Sequence, residues 1–201
     1  MVGEAAYEGI KGGSGANIQR LLFWCTVLSG ARGYVYGADG VWQAGVPGGT
    51  SGGDWGSASW RKGYRLPGSA QLGLAKRLLE RYRWWEFEPR PDWVNPEPTV
   101  DDAIKPCAAG IPAEVRVVFL PAIGNHYRRA DGRIQFIYTP AYRRLLRLRG
   151  IERGVSYRAF YFSPVSGAEV DVGRVDGVRK GEWAPPPTPD WSDWVLVLQR
   201  A

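Results

Sequence analysis

The sequence predicts an α/β half followed by an all-β half: the closing turns of an α/β barrel, then a small antiparallel β-sandwich. Three observations predict this. Residues 1–96 run loop, helix, strand, loop, helix, the order of the last turns of an α/β barrel. Pro89, Pro91, Pro96, Pro98, Pro106 and Pro112 crowd one stretch, as in a linker or an extended wrap between domains. Residues 113–201 break into short runs of β-branched and aromatic residues separated by turn signals. The expected division is 1–96, a Pro-rich linker at 97–112, and a β-domain at 113–201.

The elements follow in order. Asn17 to Leu28 carries Ile18, Leu21, Leu22, Cys25 and Leu28 at helical spacing, with Asn17 as the expected cap and Gly30 as the stop. Gly33-Tyr34-Val35-Tyr36-Gly37 is a short aromatic strand candidate, and residues 44–56 form a glycine-rich loop. A second helix is expected over Ala70–Tyr82, capped by Ser69, with Leu72, Leu74, Ala75, Leu78 and Leu79 as its apolar face. Trp84, Trp85 and Phe87 then make an aromatic segment.

In the second half, Val115–Leu120, Ile134–Tyr138, Tyr157–Phe162 and Trp194–Leu198 read as strands. Asp131-Gly132 marks a hairpin tip between Arg129 and Arg133, and Ser163–Gly167 a turn. Leu146-Arg147-Leu148-Arg149 alternates like a half-buried strand with its arginines in water. His126, between Asn125 and Tyr127, falls in an expected surface loop.

Composition narrows the function classes. The chain has 201 residues, too few for a complete (β/α)8 barrel of about 250 residues. The net charge is +6, with 21 Arg and 5 Lys spread among 20 acidic residues, as on a solvated surface. Arg143, Arg144, Arg147 and Arg149 beside Tyr142 raise nucleic-acid binding, but the Leu-Arg alternation favours a strand, and no nucleic-acid partner is expected. No run approaches the roughly 20 apolar residues of a membrane span. Cys25, Cys107 and a single His126 do not make a zinc set or a hydrolase triad, so no metal is expected. Cys25 reads as a buried thiol. Gly12-Gly13-Ser14-Gly15 lacks the Lys-Ser/Thr ending of a phosphate loop. Acid–base chemistry must therefore lean on carboxylates.

One series of motifs is more specific. Gly3-Glu4-Ala5-Ala6-Tyr7-Glu8 precedes the first helix; Gly33–Gly37 and Trp42-Gln43 follow it; Leu66-Pro67-Gly68-Ser69-Ala70-Gln71 opens a Leu-rich helix ending at Glu80. This order resembles the C-terminal part of the apiosidase-like glycoside hydrolases, a (β/α)8 family. There a Glu-Pro-x-Tyr-Glu segment ends a late barrel strand, and a Tyr-Gly-x-x-x-x-Trp segment follows the next helix. The second half resembles the collagen-binding-like β-domain that often follows that barrel. Its matching residues are Asp131-Gly132, Tyr138-Thr139-Pro140, Phe162–Gly167 and Asp193–Leu198. Two features depart from the pattern: Ala5 replaces the proline, and Tyr34 and Ala38 replace the histidines of a Gly-His-x-Tyr-Gly-His stretch.

The resemblance implies a C-terminal portion of a glycoside hydrolase acting on plant-type polysaccharide or oligosaccharide, without cofactor. Glu4 takes the nucleophile position at the end of a late strand. Retaining glycosidases need a second carboxyl group about 5–5.5 Å away. No barrel strand precedes Glu4, so that acid is expected on a missing upstream barrel segment, and the chain alone is expected to be inactive. Tyr7, Tyr36 and Trp42 are candidates for a sugar platform, since aromatic faces bury the C–H faces of sugars; core filling is the alternative. Asp39 and Gln43 are candidates for hydroxyl recognition, against plain loop polarity. Glu8 completes the substrate-binding candidates, as a rim or structural carboxylate. A non-catalytic carbohydrate- or protein-binding sandwich is the competing expectation. Met1-Val2-Gly3-Glu4 has no signal-peptide pattern; a secreted, periplasmic or cell-surface location requires a leader further upstream.

Overall fold

A computed structural model describes residues 1, 3, 6–10, 14–46, 56, 58–95, 106–121, 146–176 and 181–201, and the backbone alone of 126–128 and 134–136. Glu4, Ala5, Gly12, Gly13, Asn125, Asp131, Gly132, Tyr138, Pro140, Tyr142, Arg143 and Arg144, discussed above, lie outside the described residues, as does most of the 44–56 loop. The chain divides into two compact units, Met1–Trp85 with Pro164–Gly167, and Glu86–Ser163 with Ala168–Ala201. By content it is mostly antiparallel sheet with few helices.

The first unit holds α1 (Ala16–Leu28), α2 (Trp60–Gly63) and α3 (Pro67–Leu79). α1 and α3 pack against each other. Neither starts where its polar candidate cap suggested. Asn17 lies inside α1, and the N-cap is Gly15, with no side-chain cap. α3 opens three residues before the predicted start, at Pro67. Proline suits this first position because its missing N–H would have no helical partner there. Gly30 does end α1: its φ is 101°, and the Ala31 N–H donates back to the Thr26 carbonyl at 3.0 Å.

The buried stripe of α1 also differs in phase from the prediction. It comprises Gln19, Arg20, Phe23, Trp24, Val27 and Leu28, whereas Ile18, Leu21, Leu22 and Cys25 are half-buried. Apolar residues occur all round this helix, so periodicity does not fix its orientation; Trp24, fully buried, and the two polar residues with partners do. α3 matches its predicted face at Leu72, Ala75, Leu78 and Leu79.

The second unit is built on a six-stranded antiparallel sheet. Its strands are β1 (Glu88–Pro89), β3 (Cys107–Ile111), β4 (Val115–Leu120), β8 (Tyr157–Phe162), β9 (Glu169–Val175) and β10 (Trp194–Arg200). The spatial order is β1-β3-β4-β10-β8-β9. β2 (Val94–Asn95) pairs with β7 (Arg147–Leu148), and β5 (His126–Arg128) with β6 (Ile134–Phe136). His126 therefore sits in a strand rather than the expected loop. Cys107–Ile111, inside the stretch expected as linker, is a strand too. Val118 and Leu120 of β4, Tyr157, Ala159 and Tyr161 of β8, and Leu196 and Leu198 of β10 form a core with Trp93, Val94 and Leu148. Alternation places these residues on one face of the sheet. Both edges are protected: β1 ends in Pro89, and β9 carries Glu169, Asp171 and Arg174 with a register shift opposite Ala159 and Phe160. Cys25 and Cys107 are half-buried thiols, so Cys25 is less enclosed than expected. No helix among the described residues is long and apolar enough to cross a membrane.

Arg116 of β4 points into this core and is fully buried. Its guanidinium donates to the Arg149 carbonyl at 2.7 Å and to the Gly150 carbonyl, pairs with Glu152 at 2.8 Å, and lies 4.0 Å from the Trp93 ring centroid. Glu152 also accepts from the Tyr157 hydroxyl at 2.5 Å and from the Ala113 N–H at 3.0 Å. Partial burial opposes ionisation of Glu152, but the Tyr157 hydrogen bond and Arg116 outweigh it and hold its carboxyl below the usual range. Burial, then the hydrogen bond to and charge of Glu152, push Tyr157 up to about 12.

These directions set a pH dependence. A depressed folded pKa stabilises the fold at neutral pH, and that contribution is lost as pH falls below the ordinary carboxylate value of 4.5. A raised tyrosine pKa keeps its contribution up to the ordinary value of 10.0, then loses it as pH rises toward about 12. Urea midpoints measured across pH should therefore fall at both ends. Tyr157→Phe should make the alkaline decline shallower, the remainder coming from Tyr34 and Tyr36; an unchanged decline would exclude this network as a source.

Candidate functional site

The candidate site of the first unit forms where residues 6–8 meet residues 34–43. Glu8 and Ala38 make a parallel bridge. The Glu8 N–H donates to the Gly37 carbonyl at 3.0 Å, and the Asp39 N–H donates to the Glu8 carbonyl at 2.8 Å. This pairing brings the ends of the two segments side by side, with Tyr7 and Trp42 on the same cluster.

Glu8 is only 4% exposed. Its carboxylate accepts from the Tyr36 hydroxyl at 2.7 Å and from the Gly68 N–H at 3.0 and 3.2 Å. Gly68 is in the first turn of α3, where an N–H lacks a helical partner and the helix dipole favours negative charge. Glu8 thus caps α3 from 60 residues away in sequence. A Cβ at position 68 would collide with the Glu8 carboxylate, so glycine is required there. Burial, then the hydrogen bond and charge of Glu8, raise the Tyr36 hydroxyl far above its ordinary value, with the Ser69 backbone opposing. Tyr36 therefore stays a donor throughout the physiological range.

Tyr7 lies flat against Gly37, where a Cβ would strike its ring. The Tyr7 and Trp42 ring centroids are 6.1 Å apart at 52°. Trp42 is 50% exposed. A cavity of about 210 Å³ is lined by Ala6, Tyr7, Val35, Tyr36, Val41 and Trp42, together with Gly3 and Gly37. The three aromatic candidates thus share one cavity. Glu4 lies outside the described residues.

Asp39 and Gln43 serve the turn that carries Trp42. Gln43 donates to Asp39 Oδ1 at 3.0 Å, its own Oε1 accepts from the Gly40 N–H at 3.0 Å, and Asp39 Oδ1 accepts from the Ala58 N–H at 3.4 Å. Both side chains remain half-buried and bonded within the loop.

Sequence reasoning missed Gln19 and Arg20. Gln19 is fully buried; its amide donates to the Ala6 carbonyl at 2.5 Å and accepts from the Tyr34 hydroxyl at 3.2 Å. Arg20 donates to Gln71 at 2.6 Å, tying α1 to α3. The available signal was two polar residues adjoining an apolar run. The Tyr34 hydroxyl donates to Gln19, and its ring packs edge-on to Phe23 at 5.6 Å. Burial raises its hydroxyl above the ordinary value.

Two larger cavities exist elsewhere. One of about 400 Å³ is bounded by Phe23, Val27, Tyr34, Leu72, Leu79 and Trp84 in the first unit. One of about 490 Å³ in the second unit is bounded by Leu146, Pro185, Pro187, Pro189, Asp190 and Trp191, and Trp191 is 60% exposed.

Comparison with known proteins agrees with the motif series. Residues 1–86 match the family described as apiosidase-like, catalytic domain. The chain is similar to a solved structure titled glycoside hydrolase, with a TM-score of 0.69 at 17% identity over 92% of this chain. It is similar also to a glycoside hydrolase family 5 protein from Bacteroides vulgatus ATCC 8482, with a TM-score of 0.69 at 16% identity over 92% of this chain. At these identities the likeness establishes a shared fold. The chain spans 37% and 36% of the length of those two structures. The comparison with curated proteins found no match. Residues 1–86 are thus similar to the catalytic domain of that family.

Proposed function

We propose that this chain is the C-terminal portion of a glycoside hydrolase acting on plant-type polysaccharide or oligosaccharide. In this reading residues 1–96 are the last two βα units of a (β/α)8 barrel. Residues 113–201 are a β-sandwich of the collagen-binding-like kind. The observation that carries the reading is the aromatic cavity. Tyr7, Tyr36 and Trp42 line one space beside the Glu8–Ala38 bridge, within the residues that match the catalytic-domain family.

Glu4 is the proposed nucleophile. Its partner acid/base belongs to an earlier barrel strand outside residues 1–201. Two carboxyl groups flanking the scissile bond are needed for an oxocarbenium-like transition state, so one alone gives no turnover. The chain's span of 37% of a similar structure supports this. Purified chain is expected to show no hydrolysis of aryl glycosides; turnover that disappears in Glu4→Gln would overturn the inactivity of the isolated chain. Tyr7, Tyr36 and Trp42 still offer a binding surface. Trp42→Ala is expected to weaken oligosaccharide binding about tenfold by calorimetric titration, since a stacked aromatic contributes about 1 kcal/mol or more.

A second reading, a non-catalytic carbohydrate- or protein-binding module, is favoured by exposed Trp191 beside the 490 Å³ cavity. It predicts retention of the chain on polysaccharide or collagen that Trp191→Ala abolishes and Trp42→Ala leaves intact.

A further inference from the structure

Gln19 holds an uncharged amide on a helix face that otherwise buries Phe23, Trp24, Val27 and Leu28, with Arg20 beside it. Gln19 is fully buried. A buried amide is costly unless both of its ends find partners. Here both do. The amide N–H donates to the Ala6 carbonyl at 2.5 Å, and the amide oxygen accepts from the Tyr34 hydroxyl at 3.2 Å. A backbone carbonyl can only accept, so the NH2 group faces Ala6 and the oxygen faces Tyr34. An apolar side chain of the same length would fill this space and make neither bond.

The bond to Ala6 bears on the residue that follows. Glu8 is fixed at three points: its N–H on the Gly37 carbonyl, its carbonyl on the Asp39 N–H, and its carboxylate on the Gly68 N–H. Ala6 is held by Gln19. Tyr7 lies between these anchors, so the Ala6–Tyr7 peptide does not turn without breaking the Gln19 bond. Side chains alternate along an extended segment. Glu8 reaches α3, and Tyr7 accordingly faces the other way, with its ring against Gly37 and 6.1 Å from that of Trp42. The two anchors share a support. A Cβ on Gly68 would collide with the Glu8 carboxylate and crowd the Gln19 Cγ at 3.2 Å. α1 and α3 thus clamp the same three-residue segment.

We propose that Gln19 is a positioning residue for the Tyr7–Trp42 cavity: it fixes the Tyr7 ring through the Ala6 carbonyl and does not itself line the cavity. The consequence for binding rests on the carbohydrate reading above; the placement of Tyr7 does not. A ring held beforehand in its binding orientation contributes more than a loose one, because ordering a loose side chain opposes binding. An amide suits this role. It neither gains nor loses a proton over the range in which the chain is folded, so its hold on Ala6 does not titrate.

The test is NMR of the 201-residue chain carrying Gln19→Met, which keeps side-chain length and volume and loses both bonds. Val27→Ala, a core truncation on the same helix, is the control for general loosening. The Gly37 Hα resonances, displaced by the adjacent Tyr7 ring, are expected to move toward ordinary values in Gln19→Met and to stay in place in Val27→Ala. Affinity for neutral cell-wall oligosaccharide should fall about three- to tenfold in Gln19→Met and hold in Val27→Ala. Gly37 resonances that do not move in Gln19→Met, or that move equally in the control, overturn the inference. Retained affinity in Gln19→Met, with the parent chain binding, also overturns it and leaves the carbohydrate reading intact. Moved Gly37 resonances with no oligosaccharide binding by the parent chain remove the carbohydrate reading and leave the placement of Tyr7 by Gln19 standing. Should Gln19→Met not fold, the parent chain decides. A scalar coupling across the hydrogen bond from Gln19 Nε2 to the Ala6 carbonyl carbon supports the inference, and its absence overturns it.

Discussion

Arg116→Ala is expected to lower the unfolding free energy of the second unit by about 3–5 kcal/mol, the largest effect of any single change considered for this chain. The reason is what remains behind. Glu152 would keep its hydrogen bonds from Tyr157 and Ala113 but lose its buried cation, and the Arg149 and Gly150 carbonyls would lose their donor. The Trp93 ring would lose the guanidinium packed at 4.0 Å. Isolated charges and orphaned carbonyls in a low-dielectric core are costly, whereas the intact pair is worth little beyond an apolar replacement. Arg116→Met combined with Glu152→Gln removes the unpaired charge and refills the volume but leaves the Arg149 and Gly150 carbonyls without that donor, so it is expected to recover part of the loss. Urea denaturation of Arg116→Ala gives the single-variant cost, and the parent chain, Arg116→Met, Glu152→Gln and their combination close a double-mutant cycle for the pair. A single-variant cost below about 1 kcal/mol would show that the network is surface-like in energy.

Glu8→Ala should carry the second largest effect, about 2–4 kcal/mol on the first unit. The change strands two donors, the Tyr36 hydroxyl and the Gly68 N–H, each worth about 1–3 kcal/mol when buried without a partner. It also removes a negative charge from the start of α3. Glu8→Gln keeps an acceptor and should cost less than half as much. Amide exchange at Gly68 separates capping from general loosening: it should accelerate in Glu8→Ala well beyond amides in the middle of α3. Equal acceleration throughout α3 would mean that Glu8 does not act as a cap. Because Tyr36 lines the cavity, Glu8→Ala should also weaken sugar binding without Glu8 itself touching the ligand.

The sequence was most informative where one property dominated. Val115–Leu120, Tyr157–Phe162 and Trp194–Leu198 are dense in β-branched and aromatic residues, and each is a central strand. The Leu-Arg alternation at 146–149 correctly separated buried Leu146 and Leu148 from exposed Arg147 and Arg149. Elements built from weak or mixed signals were not legible. β3 is Cys-Ala-Ala-Gly-Ile within a proline-rich stretch, strand only because β1 and β4 flank it. β9 carries Glu169, Asp171 and Arg174, which suit an edge but give no strand signal in the sequence. The phase of α1 was hidden because apolar residues surround it, and the start of α3 because its cap comes from Glu8, far upstream.

The same contrast holds at the site. Tyr7, Tyr36 and Trp42 were chosen for their chemistry and lie around one cavity. The geometry of Asp39, Gln43 and Glu8, by contrast, is set by backbone partners that no local pattern reveals. Arg116 lies within an expected strand, and the positions of Trp93, Gly150 and Glu152 explain its burial.

The central claim is that the Tyr7–Tyr36–Trp42 cavity belongs to a sugar-binding site. The most direct measurement is the Trp42 indole N–H resonance of the 201-residue chain, assigned with Trp42→Phe, during titration with plant cell-wall oligosaccharides. The account predicts a saturable shift of that resonance, abolished by Tyr7→Ala while the Trp93 indole stays unmoved. A Trp42 resonance that does not respond to any of these sugars at saturating concentration would contradict it.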